Sequence, residues 1–459
     1  MMRIVQHTGI VLATVALGLL SWAQTVRSPS QAQPRANPAP THREKPDNEA
    51  LLRELEQMYE QGQYNAILQR TQQAVQGGGL TSVSLSHLRA RALHRIRPQE
   101  PAQRQELIPL WDSLRETYRE RGFVAGEVEA TLALAFCYWQ TDRARAEQLL
   151  NDALKRAAAD ADQPLEVAKA LSAYATDDWF DLREWSICQR LWERALALQE
   201  AHGADELTLA RTRYNLGVLA LKQNQLETAQ ARLQAALAVQ ESQAPDSPEL
   251  ASTLLALGEL AQRRNQLAEA QNSYQRALAI HTANQLNTAE TAQIHLGLAD
   301  VARQQRRWND AQTHYERALQ VALSVDTQSR EAARAQAGLG VIALEQGALD
   351  AAEQQLQRAR QNPHLEPLEQ AQVDHELGRV AWRRGKLNDA VPYLTRALEQ
   401  QQSAQDTPLN IAKTLYNLGA LTLERGELPQ ARDYFTQARA IRERESPRSL
   451  PVAHTLMGL

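Results

Sequence analysis

Residues that could do chemistry are few in this 459-residue sequence, and they complete no catalytic motif. His375-Glu376 begins the zinc pattern His-Glu-x-x-His, but Arg379 stands where the second histidine is required. Three glycines at 77–79 lack the Lys-Ser or Lys-Thr of a phosphate loop, so a turn between helices is the better interpretation. Nucleophile-elbow, Cys-x-x-Cys and dinucleotide motifs are absent from the sequence. We therefore predict no enzyme, cofactor or metal site, and we expect His375 and Glu376 on a helix surface.

The sequence has two cysteines, Cys137 and Cys188, which are too few for a disulfide framework. Both fall where the repeat described below predicts a buried helix face. The two helices that carry them are not expected to be neighbours. We interpret both cysteines as small buried hydrophobic residues.

The densest aromatic cluster consists of Trp179, Phe180, Trp185 and Trp192. Trp185 and Trp192 coincide with large core positions of the repeat, so we expect them to pack inside the fold. Aromatic side chains are also enriched at binding hot spots. For Trp179 and Phe180, packing and partner binding both stay open.

Composition and charge narrow the class of protein. The chain has 50 basic and 54 acidic residues, interspersed, for a formal charge of −4, which argues against a surface for nucleic acid. Only 5% of the residues are aromatic, while Ala, Leu, Gln, Glu and Arg dominate from Glu49 onward. This mixture favours helices over strands.

A strong internal repeat in the sequence indicates which secondary-structure elements position these side chains. An alanine recurs at intervals of 41 residues, once of 38, and a second alanine follows each after seven residues. The first alanines are Ala229, Ala270, Ala311, Ala352, Ala390 and Ala431, and the second are Ala236, Ala277, Ala318, Ala359, Ala397 and Ala438. With apolar residues at spacings of three and four, this predicts two antiparallel helices per repeat.

Small residues recur at two further places in each repeat. Twelve positions before the first alanine stand Gly217, Gly258, Ala299, Gly340, Gly378 and Gly419, where we expect two helices to approach closely. The turn between the helices has Asn224, Asn265, Arg306, Gly347, Gly385 and Gly426. Gly and Asn tolerate the left-handed conformation that ends a helix, and Arg306 departs from this pattern.

These residues resemble the tetratricopeptide repeat family, whose Leu-Gly, large residue, Ala, Ala pattern is matched by Leu216-Gly217, Leu226, Ala229 and Ala236. The 41-residue period is similar to the extended repeats of kinesin light chains. The resemblance implies an all-α fold, a right-handed α-solenoid of antiparallel helix pairs. Cys188 with Ala195, and Ala146 with Ala153, continue the register upstream.

We predict nine repeats from about Asn48 to Glu445. Residues 48–125 form divergent N-terminal repeats and 126–445 the main array. Residues 446–459 repeat the start of a first helix, and both a capping helix and a truncated repeat stay open.

The first 47 residues carry a different signal. A basic start and an apolar run from Thr8 to Trp22 are typical of a signal peptide, 1–23, cleaved after Ala23. An uncleaved membrane anchor stopped by Arg27 is the alternative. Residues 24–47 are proline-rich and predict a disordered tether. We expect an exported protein, periplasmic or extracellular, in contact with a membrane only through an uncleaved leader.

The resemblance implies that the first helix of each pair lines a concave groove that binds a peptide or helix of a partner protein. Asn215 and Asn417 stand where resembling repeats hydrogen-bond a peptide backbone. The same place holds Ala256, Gly297 and Gly338 in the middle repeats. The implied groove residues are Arg211, Tyr214, Asn215, Lys222, Glu259, Arg263, Asp300, Arg303, Arg334, His375, Arg379, Trp382, Arg383, Lys413, Tyr416 and Asn417.

Function follows as two hypotheses. The first is a non-enzymatic scaffold for protein–protein interaction, with one or more proteins as partners and no small-molecule substrate. The second is a structural spacer or adaptor of an envelope export or assembly complex, which would bind through its edges and ends.

Overall fold

The computed structural model describes residues 46–76, 83–96, 101–158, 163–180 and 182–445. Within these ranges the chain forms helices and turns and no strand, which confirms the predicted all-α class. The chain divides into two compact units at the bond between Val239 and Gln240. We call them unit 1 and unit 2 and describe each by itself. The predicted leader, the tether before Pro46 and residues 446–459 lie outside the described residues.

The described residues of unit 1 form nine complete helices, and a tenth, α10, crosses the boundary of the unit. Their bounds are α1 (Pro46–Glu60), α2 (Tyr64–Gln76), α3 (Val83–Ile96), α4 (Pro101–Glu120), α5 (Val124–Tyr138), α6 (Arg143–Ala158), α7 (Pro164–Tyr174), α8 (Trp185–Ala201), α9 (Glu206–Lys222) and α10 (Leu226–Gln243). A π-helical turn, Ala175–Trp179, continues α7.

Unit 2 continues the same alternation of helix and short turn. Its helices are α11 (Pro248–Arg263), α12 (Leu267–Ala283), α13 (Ala289–Gln304), α14 (Trp308–Val325), α15 (Arg330–Glu345), α16 (Leu349–Arg360), α17 (Pro367–Arg383), α18 (Leu387–Ser403), α19 (Pro408–Glu424) and α20 (Leu428–Glu445). Odd-numbered helices are the first of each pair and even-numbered helices the second.

The described residues therefore hold ten helix pairs, and the prediction of nine was wrong. Residues 46–120 form two pairs, α1–α2 and α3–α4. In these pairs the alanines that mark the register elsewhere are replaced by larger residues such as Ile67 and Leu107, both fully buried. A larger side chain fills the same core position when the facing helix lies further away. The alanine pattern is therefore lost from the sequence although the helix pair is kept in the structure.

Capping residues determine where several first helices begin. The side chains of Asp205, Ser247, Thr288 and Ser329 accept a hydrogen bond from the backbone N–H three residues later. Such caps satisfy N–H groups that the helix itself leaves without a partner. Proline at the first helical position adds to this signal in α11, α17 and α19.

The turn inside each pair adopts the left-handed conformation that the sequence predicts. Positive φ angles occur at all six predicted turn residues, Asn224, Asn265, Arg306, Gly347, Gly385 and Gly426. Arg306 has φ 58°, so the turn keeps its geometry although the residue is a poor match for it.

The core of each pair is built on the two alanines. All twelve register alanines are buried, from Ala229 to Ala438. A Cβ added to Gly217 would lie 2.7 Å from Cγ of Leu233, and the same holds for Gly340 against Leu356. The small residue thus leaves room for a large side chain of the second helix. The predicted close approach is therefore a contact between the backbone of one helix and a side chain of the other.

The structure also bears on the predictions for the two cysteines and the aromatic cluster. Cys137 and Cys188 are buried and unpaired. Trp192 is buried and Trp185 half-buried, in line with packing. Trp179 is fully buried and its ring lies 4.7 Å from that of Trp139, so packing describes it better than partner binding. Among the described residues, no helix is long and apolar enough to span a bilayer.

Candidate functional site

First helices form the inner side of unit 2. Neighbouring first helices contact one another, as α13 does with α15, whereas the second helices described in this unit have no comparable contact with each other. A stack of helix pairs curves toward the side where its helices are closer. We call the exposed surface of α11, α13, α15, α17 and α19 the inner face of unit 2.

Ion pairs and hydrogen bonds connect successive first helices across this face. Arg330 on α15 binds Glu369 on α17 through two parallel hydrogen bonds of 2.8 and 2.9 Å. Arg334, one turn further along α15, lies 3.5 Å from the same carboxylate. Paired N–H groups from one guanidinium fix the geometry as well as the charge. Glu369 therefore anchors two arginines of the preceding repeat.

The same arrangement continues into the next repeats. Arg379 on α17 donates to Glu345 on α15 at 2.7 Å and to Glu376 at 2.5 Å. Lys413 on α19 lies 3.6 Å from the other oxygen of Glu376. Burial alone would raise the pKa of Glu376, but His375, Lys413 and Arg379 outweigh it and lower that pKa. Glu376 is thus a buried anion that holds cations of two repeats.

His375 is buried, with 3% of its surface exposed, so its predicted place on the surface and in the groove was wrong. Its Nδ1 lies 2.9 Å from the Thr414 hydroxyl, and its Nε2 lies 3.1 Å from the amide nitrogen of Asn417. Burial lowers the pKa of His375 to about 4, so the ring is neutral at pH 7 and Nε2 accepts from Asn417. Glu376, predicted on the surface as well, is buried too. The side chains of His375 and Glu376 are buried because residues of the neighbouring helix supply polar partners for them.

The middle repeats replace the asparagine by glycine for a steric reason. A Cβ on Gly297 would lie 2.5 Å from Cζ of Tyr274, and one on Gly338 would lie 2.4 Å from Cζ of Tyr315. Each tyrosine comes from the second helix of the preceding pair and fills the space that an asparagine side chain would need. Where that second-helix residue is Leu394, the next repeat has Asn417.

Tyr315 also positions two of the predicted groove residues. Its hydroxyl donates to Asp300 at 2.5 Å and accepts from Nε of Arg303 at 3.2 Å. Arg303 also approaches Asp300 at 3.3 Å, and Arg334 lies 4.0 Å from the second oxygen of Asp300. The centre of the inner face is therefore a closed set of polar contacts.

The remaining predicted residues of unit 2 lie on the same helices. Glu259 and Arg263 pair within α11 at 2.7 Å. The Trp382 indole N–H donates to Glu424 on the next first helix at 2.8 Å. Arg383 donates to the carbonyl of Leu344 at 2.5 Å. The ring of Tyr416 packs on Phe435, with the guanidinium of Arg442 4.8 Å from its centre.

Four predicted groove residues belong to unit 1. Arg211, Tyr214 and Asn215 are half-buried on α9, and Lys222 is exposed at its end. Within the described part of the chain, the Asn215 side chain makes no hydrogen bond, in contrast to Asn417. Its role in binding a peptide backbone stays a prediction.

A buried polar cluster on α3 of unit 1 was missed by sequence reasoning. His87 lies 2.5 Å from the Tyr118 hydroxyl and 3.3 Å from Glu129. His94 lies 3.1 Å from Asp178 in the π-helical turn. His87, Arg91, His94 and Arg95 follow one another at helical spacing, which is the signal that could have indicated one shared face.

Sequence reasoning also missed the acidic members of the inner face. Glu345 and Glu424 occupy the same register position as Arg263 and Arg383, which were predicted. Reading that position through all repeats, with acids included, would have found them. Among the described residues, no group of three or more His, Cys, Asp or Glu is placed to hold a metal ion.

This architecture defines a helical-repeat protein with a polar inner face. A model of the tetratricopeptide repeat family matches residues 227–283, 290–362 and 369–444. The helix pairs in this part of the chain therefore match the tetratricopeptide repeat. No curated protein matches the chain.

Several solved structures are similar to this chain. A Rap protein complexed with competence and sporulation factor is 11% identical, with a TM-score of 0.49, over 81% of this chain and 99% of that one. PilF of Pseudomonas aeruginosa is 20% identical, with a TM-score of 0.39, over 55% of this chain and 97% of that one. BtubC (BKLC) from P. vanneervenii is 22% identical, with a TM-score of 0.40, over 49% and 92%.

Proposed function

We propose that the protein is a non-enzymatic scaffold and that the inner face of unit 2 binds an acidic segment of a partner protein. One observation carries this proposal: in three of the inner-face ion pairs the cation is clearly more exposed than the acid that holds it. Lys413 has 55% of its side chain exposed against 5% for Glu376. Arg334 has 38% against 20% for Glu369, and Arg383 has 43% against 31% for Glu345.

The buried acids orient these cations before any partner arrives. A long side chain that is already held loses less conformational entropy when it binds. A carboxylate of the partner can then accept charge-assisted hydrogen bonds from N–H groups that the internal pair leaves in solvent. The inner face therefore favours Asp and Glu side chains over Lys and Arg.

The test uses the full chain and a fluorescent oligo-glutamate peptide of about ten residues as the probe. The test variant is the triple change Arg334→Ala, Arg383→Ala and Lys413→Ala. The control is Arg276→Ala, Arg317→Ala and Arg439→Ala, which removes the same charge from second helices. We expect fluorescence anisotropy to show about tenfold loss of affinity in the test variant, since three exposed charged contacts at about 0.5 kcal/mol each sum to about 1.5 kcal/mol. An equal loss of affinity in both variants would mean that the peptide responds only to the net charge of the protein, which would refute the inner-face site.

The place of action is a second part of the proposal. The basic start and apolar run before Ala23 support export, to the periplasm or the cell exterior. Edman degradation of the protein purified from its native host should give Gln24 as the first residue. Recovery of an intact Met1 from the cytosol would contradict export.

A further inference from the structure

The outer side of unit 2 has two crevices at the same register of the repeat, two pairs apart. Each lies between successive second helices and above the first helix between them. Crevice A has a volume of about 270 Å³ and is lined by Gln271, Gln275, Arg307, Asp310, Thr313 and His314, among others. Crevice B has a volume of about 300 Å³ and is lined by Glu353, Arg384, Lys386, Asp389, Tyr393 and Arg396, among others. Small-molecule sites begin at about 300 Å³.

Crevice B differs from crevice A in its charged groups. It contains three cations, Arg384, Lys386 and Arg396, and two acids. Beneath it lies Asp374, which is 1% exposed and on the first helix α17. Asp374 lies 3.5 Å from Nε of Arg396 and receives a hydrogen bond of 2.7 Å from Arg360. A buried carboxylate thus holds arginines of both flanking helices in place.

One N–H donor in crevice B has no acceptor, and a second has only a long contact. Nε of Arg384 is buried and finds no hydrogen-bond partner in the part of the chain that the structure describes, and Nε of Arg396, also buried, has only the 3.5 Å ion-pair contact with Asp374. Leaving a buried donor of a charged group without a partner costs about 1–3 kcal/mol or more. Both guanidinium groups line the same crevice, so one ligand oxyanion can accept hydrogen bonds from Arg384 and Arg396 together.

The acids beside crevice B bind Arg384 only weakly, so they compete poorly with a ligand oxyanion. Arg384 Nη2 lies 2.5 Å from Asp350, but the Asp350 side chain is 98% exposed. Glu353, at 3.1 Å from Arg384, is also in contact with solvent. Exposed ion pairs contribute about 0–1 kcal/mol, so an incoming anion displaces them at small cost. Tyr393, with Arg396 5.1 Å from its ring centre, gives the crevice an apolar wall.

We propose that crevice B is a binding site for a small molecule carrying a phosphate or carboxylate group. Arg384, Lys386 and Arg396 bind the oxyanion, and Asp374 fixes Arg396. Guanidinium groups match the geometry of both oxyanions. The site lies on the opposite side of α17 from the proposed partner surface and does not depend on it.

The experiment is isothermal titration of the full chain with inorganic phosphate and, separately, with citrate. The test variant is Lys386→Ala with Arg396→Ala. The control is Arg307→Ala with Arg317→Ala, which removes the cations at the two equivalent register positions, of which Arg307 lines crevice A. Lys386→Ala alone serves as a second test variant, because Lys386 is exposed and its loss leaves Asp374 untouched.

We expect the wild type and the control to bind at least one probe. The test variants should weaken that binding by about tenfold, the equivalent of one charge-assisted hydrogen bond. The probe with the higher affinity identifies the oxyanion. Absence of binding to both probes, an equal loss in the control, or unchanged binding in both test variants would overturn the proposal.

Discussion

Single residues decide what each position of the inner face can do. Gly297 and Gly338 lack side chains because Tyr274 and Tyr315 occupy that space, and this fixes Asp300 and Arg303 in turn. The asparagine position therefore differs chemically along the array: it holds an amide without a hydrogen bond at Asn215, an amide bonded to histidine at Asn417, and Ala256, Gly297, Gly338 and Glu376 between them.

We expect Gly297→Ala to destabilise the protein by about 1–3 kcal/mol, because the new methyl group overlaps the Tyr274 ring. Tyr274→Leu should remove most of that cost, so the two changes are not additive. Chemical denaturation followed by circular dichroism measures all four proteins of this cycle. Additive effects would show that the ring does not determine the residue at 297.

A pH dependence follows from the buried pair of His94 and Asp178 in unit 1. Burial opposes protonation of His94, but Asp178 outweighs it and raises the pKa to about 10. A raised histidine pKa stabilises the folded state fully below the unfolded value near 6.5, and this stabilisation is lost as the pH rises through 10.

Asp178→Asn should therefore destabilise the protein at pH 6, by about 3–5 kcal/mol as for a broken buried ion pair. The difference from the wild type should shrink between pH 6.5 and pH 10. Denaturation of both proteins across this range measures it. A difference that stays constant with pH would mean that His94 is not charged in the folded state.

At the scale of elements, the sequence predicts most of the architecture. The alanine register and the left-handed turns are local signals, and both are confirmed in the structure. The ion pairs between first helices could not be predicted because they depend on which side chains meet between residues 34 to 39 positions apart on two helices. The buried place of His375 has the same origin, since Thr414 and Asn417 belong to the next first helix.

The turn at Arg306 tests how much local geometry contributes. An arginine at φ 58° is strained, whereas glycine adopts this angle freely. We expect Arg306→Gly to stabilise the protein by about 1 kcal/mol, seen as a higher thermal midpoint. Gly347→Ala, at the equivalent turn with open space around its Cα, should lower the midpoint. A lower midpoint for Arg306→Gly would mean that the arginine side chain contributes more than its backbone costs.

At the scale of the whole molecule, a nearly neutral chain can still present one sign of charge on one surface. The formal charge is −4, yet Lys413, Arg334 and Arg383 on the inner face of unit 2 are more exposed than the acids that hold them. Composition reports only the sum and therefore gives no sign of this arrangement. Association with an acidic segment should weaken as salt rises, since exposed cations are screened.

Photo-crosslinking of an oligo-glutamate peptide that carries one photoreactive side chain tests the central claim most directly, with the crosslinked residues located by mass spectrometry. We predict that the crosslinks in unit 2 fall on α11, α13, α15, α17 and α19, and that added salt reduces them. Crosslinks concentrated on the second helices α12, α14, α16 and α18 would contradict the inner face as the binding surface.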